Sequence, residues 1–360
     1  MVAEFSNFNE FFRIRDDDSK GGMRKPAPTW AVVATVDEPP ALVQAFVAWY
    51  LSLGAAQVFL YCDRPDDPVQ PMLAHLARVI VVPCDAAHWL RLGKSRPRRH
   101  EVRQVRNAQD ADARASTDWI LHCDADEFVW PGRPVADVLG GVLPDTDCLV
   151  LPVAERVQGP DGPGASIFAG AFRRPFRERD AKGRQLFGRD YDLTYRGLTG
   201  HAQGKAVVRR GRSLRMSIHR PRPARKGEEI ATERAEVDAL ELLHFEGLTP
   251  AHWDFKLARM VHTLAEKDGM PPSNHRRRQA DELVTDPTGG AELYQRLKCP
   301  DEDTLEVLRR SGLWTAPAFD IAVVIEQCFP NQTVDLTPGA IDAWLRKERV
   351  TVANHLLLSK

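Results

Sequence analysis

The sequence has no long hydrophobic run and no paired cysteine motif. No apolar stretch approaches the roughly 20 residues that a membrane-spanning helix needs, and the polar, acidic segment from Met1 to Lys20 lacks the apolar core of a signal peptide. The six cysteines are scattered, with no Cys-x-x-Cys pair and no histidines at zinc-finger spacing. These absences predict a cytoplasmic protein with reduced thiols. They leave open a peripheral contact with the inner face of the membrane.

The chain also lacks an excess of either charge. It has 49 basic and 50 acidic residues among 360, for a formal net charge of -1. Proteins that wrap nucleic acid usually carry a strong positive excess, so we expect no nucleic-acid partner. Hydrophobic residues make up 43% of the chain, which is enough for a large core.

Short apolar segments alternate with helical patterns over the first half of the chain. Predicted helices cover residues 41–53, 71–77 and a segment ending near 115. Predicted strands cover residues 30–36, 57–62, 79–82, 118–123 and 148–153. This alternation predicts an α/β fold with a Rossmann-like, mostly parallel central sheet and flanking helices.

Composition suggests three regions. Residues 1–28 end in Gly-Gly and Lys-Pro-Ala-Pro and are expected to form an extension or linker. Residues 29–250 would form the main domain, including long loops over 158–199, where a β-ribbon is one alternative, and a strand from Lys205. The pattern after Glu228 is helical, so residues 251–360 are predicted to be a mostly helical C-terminal region.

Two carboxylates directly follow the fourth predicted strand, in Asp124-Ala125-Asp126-Glu127. Alternate residues of an extended chain point the same way, so Asp124 and Asp126 can converge on one cation. Oxygen ligands suit Mg²⁺ or Mn²⁺, which usually keep positions free for water and substrate phosphates. In parallel sheets, ligands bind beyond the carboxyl ends of the strands, where this motif lies. We therefore predict a metal–nucleotide site here; the alternative is a solvated acidic turn.

The segment from Thr117 to Phe128 resembles the signature of family 2-like glycosyltransferases, and more narrowly a bacterial group related to family 92. Further similarities lie at residues 33–38 and 61–63, at Gly204-Lys205, and at His244-Phe245 with Lys256. The resemblance spans about residues 30 to 260 and implies a GT-A fold. It also implies transfer of a sugar from a nucleotide-diphosphate donor, UDP-linked by default, to a glycan or lipid-linked acceptor, with inversion.

The same resemblance implies contacts with the nucleotide. Thr35 and Glu38 would lie against the nucleoside, and Asp63 would contact the base or ribose. Asp124 would reach ribose or metal, and Asp126 the metal. In the basic run after the third strand, Arg103 and Asn107 are candidates for the diphosphate.

Other side chains are candidates for catalysis or for the metal. Neutral imidazoles bind Mn²⁺, so His219 and His244 are candidate ligands, the alternative being packed or surface histidines. Lys205 is expected to stabilise the departing diphosphate, and Glu127 to orient the site by hydrogen bonding. An inverting reaction needs a general base. The available carboxylates are Glu155, Asp190, Asp192 and Glu246, of which we favour Glu246.

Three other functions compete with this hypothesis. A haloacid-dehalogenase-type phosphatase would carry its Asp-x-Asp on the first strand, whereas here it follows the fourth. A nucleotidyltransferase would need a glycine-rich, lysine-containing loop after the first strand, and residues 37–40 are Asp-Glu-Pro-Pro. A non-catalytic nucleotide-sugar-binding protein would keep the metal site and lack the base.

Overall fold

A computed structural model describes residues 26–347, apart from 94, 160, 161, 163, 178–180, 266–272, 287 and 288. Most of the predicted N-terminal extension and the last residues of the predicted C-terminal region therefore lie outside the described residues. The division into three regions stays a prediction.

Strands and helices alternate up to Arg114, strands predominate from there to His244, and the chain is mainly helical from Pro250 onwards. The strands are β1 (Trp30–Val36), β2 (Gln57–Cys62), β3 (Val79–Pro83), β4 (Trp119–His122), β5 (Glu127–Pro131), β6 (Cys148–Leu151), β7 (Val153–Val157), β8 (Ala171–Arg173), β9 (Lys205–Arg209), β10 (Leu214–Arg215), β11 (Arg222–Pro223), β12 (Thr232–Arg234), β13 (Leu240–His244) and β14 (Trp314–Thr315). The helices are α1 (Pro40–Ser52), α2 (Val69–Leu73), α3 (Ala86–Arg91), α4 (His100–Arg114), α5 (Val135–Gly141), α6 (Ala181–Phe187), α7 (Pro250–Ala265), α8 (Asn274–Thr285), α9 (Gly290–Lys298), α10 (Glu302–Arg310) and α11 (Ile321–Cys328), with a 3₁₀ helix at Gly188–Leu193 and a further helical segment over 338–347.

A seven-stranded sheet forms the centre of the fold, in the order β12-β6-β9-β4-β1-β2-β3. Strand β9 runs antiparallel to β4 and β6, while the other pairings are parallel. All seven residues of β1 are buried, because this continuous apolar strand is covered on both faces. The predicted α/β fold with a mostly parallel sheet and flanking helices is confirmed.

A second sheet, in the order β14-β8-β7-β13-β5, was not predicted from the sequence. The expected single strand over 148–153 is wrong, because Pro152 separates β6 of the large sheet from β7 of the small one. The helical prediction after Glu228 is also wrong as far as Pro250. There β12 joins the large sheet and β13 pairs with β5 and β7.

The two sheets share one apolar core. It joins Val32 and Leu60 of the large sheet to Phe128 and Leu242 of the small sheet. Helix α1 lies in this core with Leu42 to Leu51 buried, since α11 also packs against it. All six cysteines lie in the described part of the chain and are free thiols, as predicted. Within residues 26–347, the gaps aside, no helix combines the length and hydropathy needed to cross a bilayer.

Gly204 fixes the chain where β9 begins. Its φ is +71°, and a Cβ atom at this position would lie 1.9 Å from the Leu151 carbonyl oxygen on the neighbouring strand. We expect Gly204→Ala to lower the free energy of unfolding by about 2–4 kcal/mol, since it adds a backbone clash to left-handed strain. Urea unfolding monitored by circular dichroism measures this loss.

Gly211 provides the matched control, with a φ of +78° and open space within 4 Å of the position that a Cβ atom would take. Gly211→Ala should cost only the strain of the left-handed backbone, about 1 kcal/mol. Equal losses in the two variants would contradict a steric role for the Gly204 position.

Candidate functional site

The polar residues singled out after the strands meet at one edge of the large sheet. Strands β1, β2 and β4 are parallel neighbours, so the segments that follow them leave the sheet on the same side. Asp63 follows β2, and the Asp124 to Asp126 turn follows β4. That turn leads directly into β5, whose partner β13 ends at His244. The site therefore lies where the two sheets join.

Asp124 is held by two groups from the large sheet and its helices. Its carboxylate accepts hydrogen bonds from Gln104 Nε2 at 2.5 Å and from Lys205 Nζ at 2.8 Å. Burial raises the pKa of Asp124, but the charge of Lys205 outweighs it and holds the pKa well below its usual range. About 31% of the Asp124 side chain is exposed, so this ionised carboxylate can still meet a ligand.

Glu127 and Lys205 are fully buried and form an ion pair of 3.1 Å. Glu127 Oε2 also accepts the backbone N–H of Asp124 at 2.8 Å, and Oε1 lies 2.9 Å from His201 Nε2. Each carboxylate oxygen thus has its own partners. Glu127 therefore holds neighbouring residues by hydrogen bonds, and the orienting role in catalysis stays a prediction.

Asp126 belongs to a second charged group, built with residues from β13 and the helices that follow. Its Oδ2 lies 2.7 Å from Lys256 Nζ and 3.8 Å from His244 Nε2. Lys256 also donates to Glu246 at 3.0 Å, and Glu246 accepts from Arg276 at 2.9 Å. Burial raises the pKa of Glu246, but Lys256 and Arg276 outweigh it and hold the pKa well below its usual range.

Two sets of side chains in the described residues have the spacing of metal ligands. One is Asp126, His244 and Glu246, and the other is Glu127, His201 and His244, with ligand atoms within 4.8 Å of one another in each set. The first set offers two carboxylates and one imidazole, a donor set that suits Mn²⁺ or Mg²⁺. The residues therefore fit a divalent cation. Asp124, predicted as a ligand, is in neither set.

His219, also predicted as a metal ligand, is in neither set. Its Nδ1 lies 3.2 Å from the Gly204 carbonyl oxygen, and its ring packs 4.3 Å from the ring of His201. Burial lowers the pKa of His219 to about 3, so the imidazole is neutral. The neighbour that the sequence did not single out, His201, is the one that contacts Glu127.

Four of the residues predicted to contact the nucleotide are buried and form two hydrogen-bonded pairs. Asn107 Nδ2 donates to Thr35 Oγ1 at 3.0 Å. Arg103 contacts both oxygens of Asp63, each at 2.7 Å. These pairs brace the ends of β1 and β2 against α4. Glu38 is half-buried, lies 3.2 Å from His252 Nε2 and interacts with the charge of Lys256. The nucleotide contacts themselves stay predictions.

Three residues at the site escaped sequence reasoning. Lys256 occurred only within a motif of the resemblance, and Arg276 lies on a helix whose pattern gave no functional signal. His201 follows a long loop segment without periodicity, so nothing in the sequence placed it beside Glu127.

The other carboxylates considered as the general base are paired with basic side chains. Glu155 is fully buried against Lys298 and Arg173, each at 3.2 Å. Asp190 and Asp192 pair with arginines.

No family model matches this chain, and no curated protein matches it. Two solved structures show limited similarity. The crystal structure of HddC from Yersinia pseudotuberculosis matches 36% of this chain and 60% of its own, with 9% identity and a TM-score of 0.25. CMP:2-keto-3-deoxy-manno-octonic acid synthetase complexed with CTP matches 37% of this chain and 57% of its own, with 13% identity and a TM-score of 0.24. In both cases the match spans less than two thirds of the solved chain, and similarities this low assign neither a family nor a function.

Proposed function

We propose that this chain is a metal-dependent glycosyltransferase of the GT-A type, which transfers a sugar from a nucleotide-diphosphate donor to a glycan or lipid-linked acceptor. The observation that carries the proposal is the set of Asp126, His244 and Glu246 at the carboxyl edge of a mostly parallel sheet. Such edges bind nucleotides and their phosphates in α/β folds. The resemblance of residues 117–128 to family 2-like glycosyltransferases supports the same function.

In this proposal Asp126, His244 and Glu246 hold Mn²⁺ or Mg²⁺, and Asp124 contacts the ion or the ribose from the opposite side of the turn. The bound ion would neutralise charge on the departing diphosphate. Lys205 keeps Asp124 ionised, and its full burial fixes the ammonium in place. Lys256 is about 23% exposed, so it can move from Asp126 towards a phosphate oxygen.

The contacts of Glu246 favour a ligand role over the general-base role predicted from the sequence. Its carboxylate is 2% exposed and interacts with three basic side chains, Lys256, Arg276 and His244. A carboxylate with a strongly lowered pKa takes up a proton less readily than an ordinary one. We therefore propose that Glu246 positions cations and that the base is another group.

A donor panel tests this function. We expect one nucleotide-diphosphate sugar, a UDP-sugar by default, to stabilise the protein against heat in the presence of Mn²⁺ and to be slowly hydrolysed to the free nucleoside diphosphate. Ligand at 100 times its Kd adds about 2.7 kcal/mol to the free energy of unfolding. Differential scanning fluorimetry finds the donor, and chromatography of the nucleotides measures its hydrolysis.

The same panel separates the alternatives. A nucleotidyltransferase would release pyrophosphate from a nucleoside triphosphate and a sugar phosphate, without hydrolysing the nucleotide sugar. A binding protein would be stabilised by the donor without any release of nucleoside diphosphate. Stabilisation by no nucleotide sugar, with or without Mn²⁺, would contradict the proposal.

A further inference from the structure

Four histidines lie close enough to Glu127 to interact with the charge of its carboxylate: His122, His201, His219 and His244. Three of them have a buried ring nitrogen without a hydrogen-bond partner among the described residues, namely His122 Nε2, His201 Nδ1 and His244 Nδ1. A buried polar atom left unpaired costs about 1–3 kcal/mol. These unpaired nitrogens make the imidazoles near Glu127 candidates for binding a ligand.

Glu127, His201 and His244 already have the spacing of a cation site. Their ligand atoms lie within 4.8 Å of one another, and Glu127 Oε1 is 2.9 Å from His201 Nε2. The rings of His201 and His244 are stacked with centroids 5.1 Å apart. Ligand atoms bound tetrahedrally at about 2.0–2.2 Å from an ion lie about 3.3–3.6 Å apart. The observed spacings are therefore close to those that one bound ion would require.

The ligand types point to a transition metal. Two imidazoles and one carboxylate suit Zn²⁺ and its substitute Co²⁺, whereas Mg²⁺ prefers oxygen ligands. Glu127 Oε2 keeps its contacts with Lys205 and with the Asp124 N–H, which leaves Oε1 to face the ion.

We propose that Glu127, His201 and His244 form a second cation site, specific for a borderline transition metal such as Zn²⁺. About 20% of the His201 side chain is exposed, which gives the ion a way in and a water molecule a fourth position. The site shares His244 with Asp126 and Glu246, so an ion here withdraws that ligand from the oxygen-rich set. Zn²⁺ binding at this site does not depend on sugar transfer.

Cobalt spectroscopy tests the site without any nucleotide sugar. We expect metal-free full-length protein to bind one equivalent of Co²⁺ with the strong visible d–d bands of tetrahedral coordination, and Zn²⁺ to abolish them. Loss of a residue that only supports a ligand weakens metal binding about 10–100-fold. His201→Gln removes a ligand and should weaken Co²⁺ binding by at least about 100-fold.

His219→Gln is the matched control, because His219 packs against His201 and lies outside the ligand set. It should keep the bands, and so should Asp126→Asn. In the Co²⁺-loaded wild type, paramagnetic NMR should show two coordinated imidazoles, a count that does not depend on how the variants fold. The site would be refuted by absent bands, by bands that survive His201→Gln, by their loss in Asp126→Asn, or by fewer than two coordinated imidazoles.

Discussion

Asp126→Asn is expected to reduce metal-dependent donor turnover by at least about 1000-fold, with little change in the fold. Asparagine keeps the shape of the side chain and removes the charge that would hold the cation. A metal ion stabilises transition-state charge by several kcal/mol, and about 4 kcal/mol corresponds to 1000-fold in rate. Turnover should be measured as nucleoside diphosphate released from the donor that the panel identifies, together with the Mn²⁺ dependence of donor binding.

Lys256 is a second source of positive charge beside Asp126, in addition to the proposed metal ion. Its ammonium lies 2.7 Å from Asp126 and 3.0 Å from Glu246, where it supplies positive charge without a metal. If the metal is essential, a chelator should abolish turnover in the wild type, and Lys256→Met should keep Mn²⁺ dependence. Asp145→Asn, on an exposed loop residue, serves as the charge-matched control and should behave as the wild type does. Wild-type turnover that persists in a chelator would contradict the metal-dependent proposal.

Glu155→Gln is expected to lower the free energy of unfolding by about 3–5 kcal/mol. Glu155, Lys298 and Arg173 are each at most 1% exposed, and the carboxylate also accepts from the Thr199 hydroxyl at 2.8 Å. Removing one partner of a buried ionic group leaves uncompensated charge inside the protein, which accounts for the size of the loss. Urea unfolding followed by circular dichroism and tryptophan fluorescence measures it.

Glu306→Gln makes the same substitution in a surface pair. Glu306 lies 2.7 Å from Arg310, and both side chains are about half exposed or more. Exposed pairs of this spacing contribute about 0.3–0.5 kcal/mol. In a double variant, Lys298→Met should recover part of the loss caused by Glu155→Gln, because it removes one of the two stranded cations. Equal losses in the free energy of unfolding from Glu155→Gln and Glu306→Gln would contradict a larger contribution of the buried ionic group to stability.

The large sheet could be predicted from the sequence because its strands are short, apolar and separated by helices. Residues 30–36 and 57–62 match β1 and β2 residue for residue. The small sheet could not be predicted, because three of its four strand pairings join segments that lie far apart in the chain. Strand β13 pairs with β5, more than a hundred residues earlier, and its apolar run does not distinguish strand from helix.

At the site, the local spacing of the acidic residues predicted only part of the arrangement. It drew attention to Asp124 and Asp126, which do lie at the strand edge with Lys205. It also suggested that both aspartates hold one ion, which stays a prediction; in the structure they contact different lysines, Lys205 and Lys256. Which lysine, histidine or glutamate approaches each aspartate depends on how the sheets and helices pack, and no local pattern records that packing.

The acidic turn between β4 and β5 is also the crossing from one sheet to the other. Lys205 reaches the turn from the large sheet, and His244 reaches it from the small one. Neither half of the molecule can assemble this constellation alone, so a partly folded chain would lack it. Any ion or nucleotide that binds here should therefore hold the two sheets together. Its binding should slow their separation and protect the amide hydrogens of both sheets from exchange.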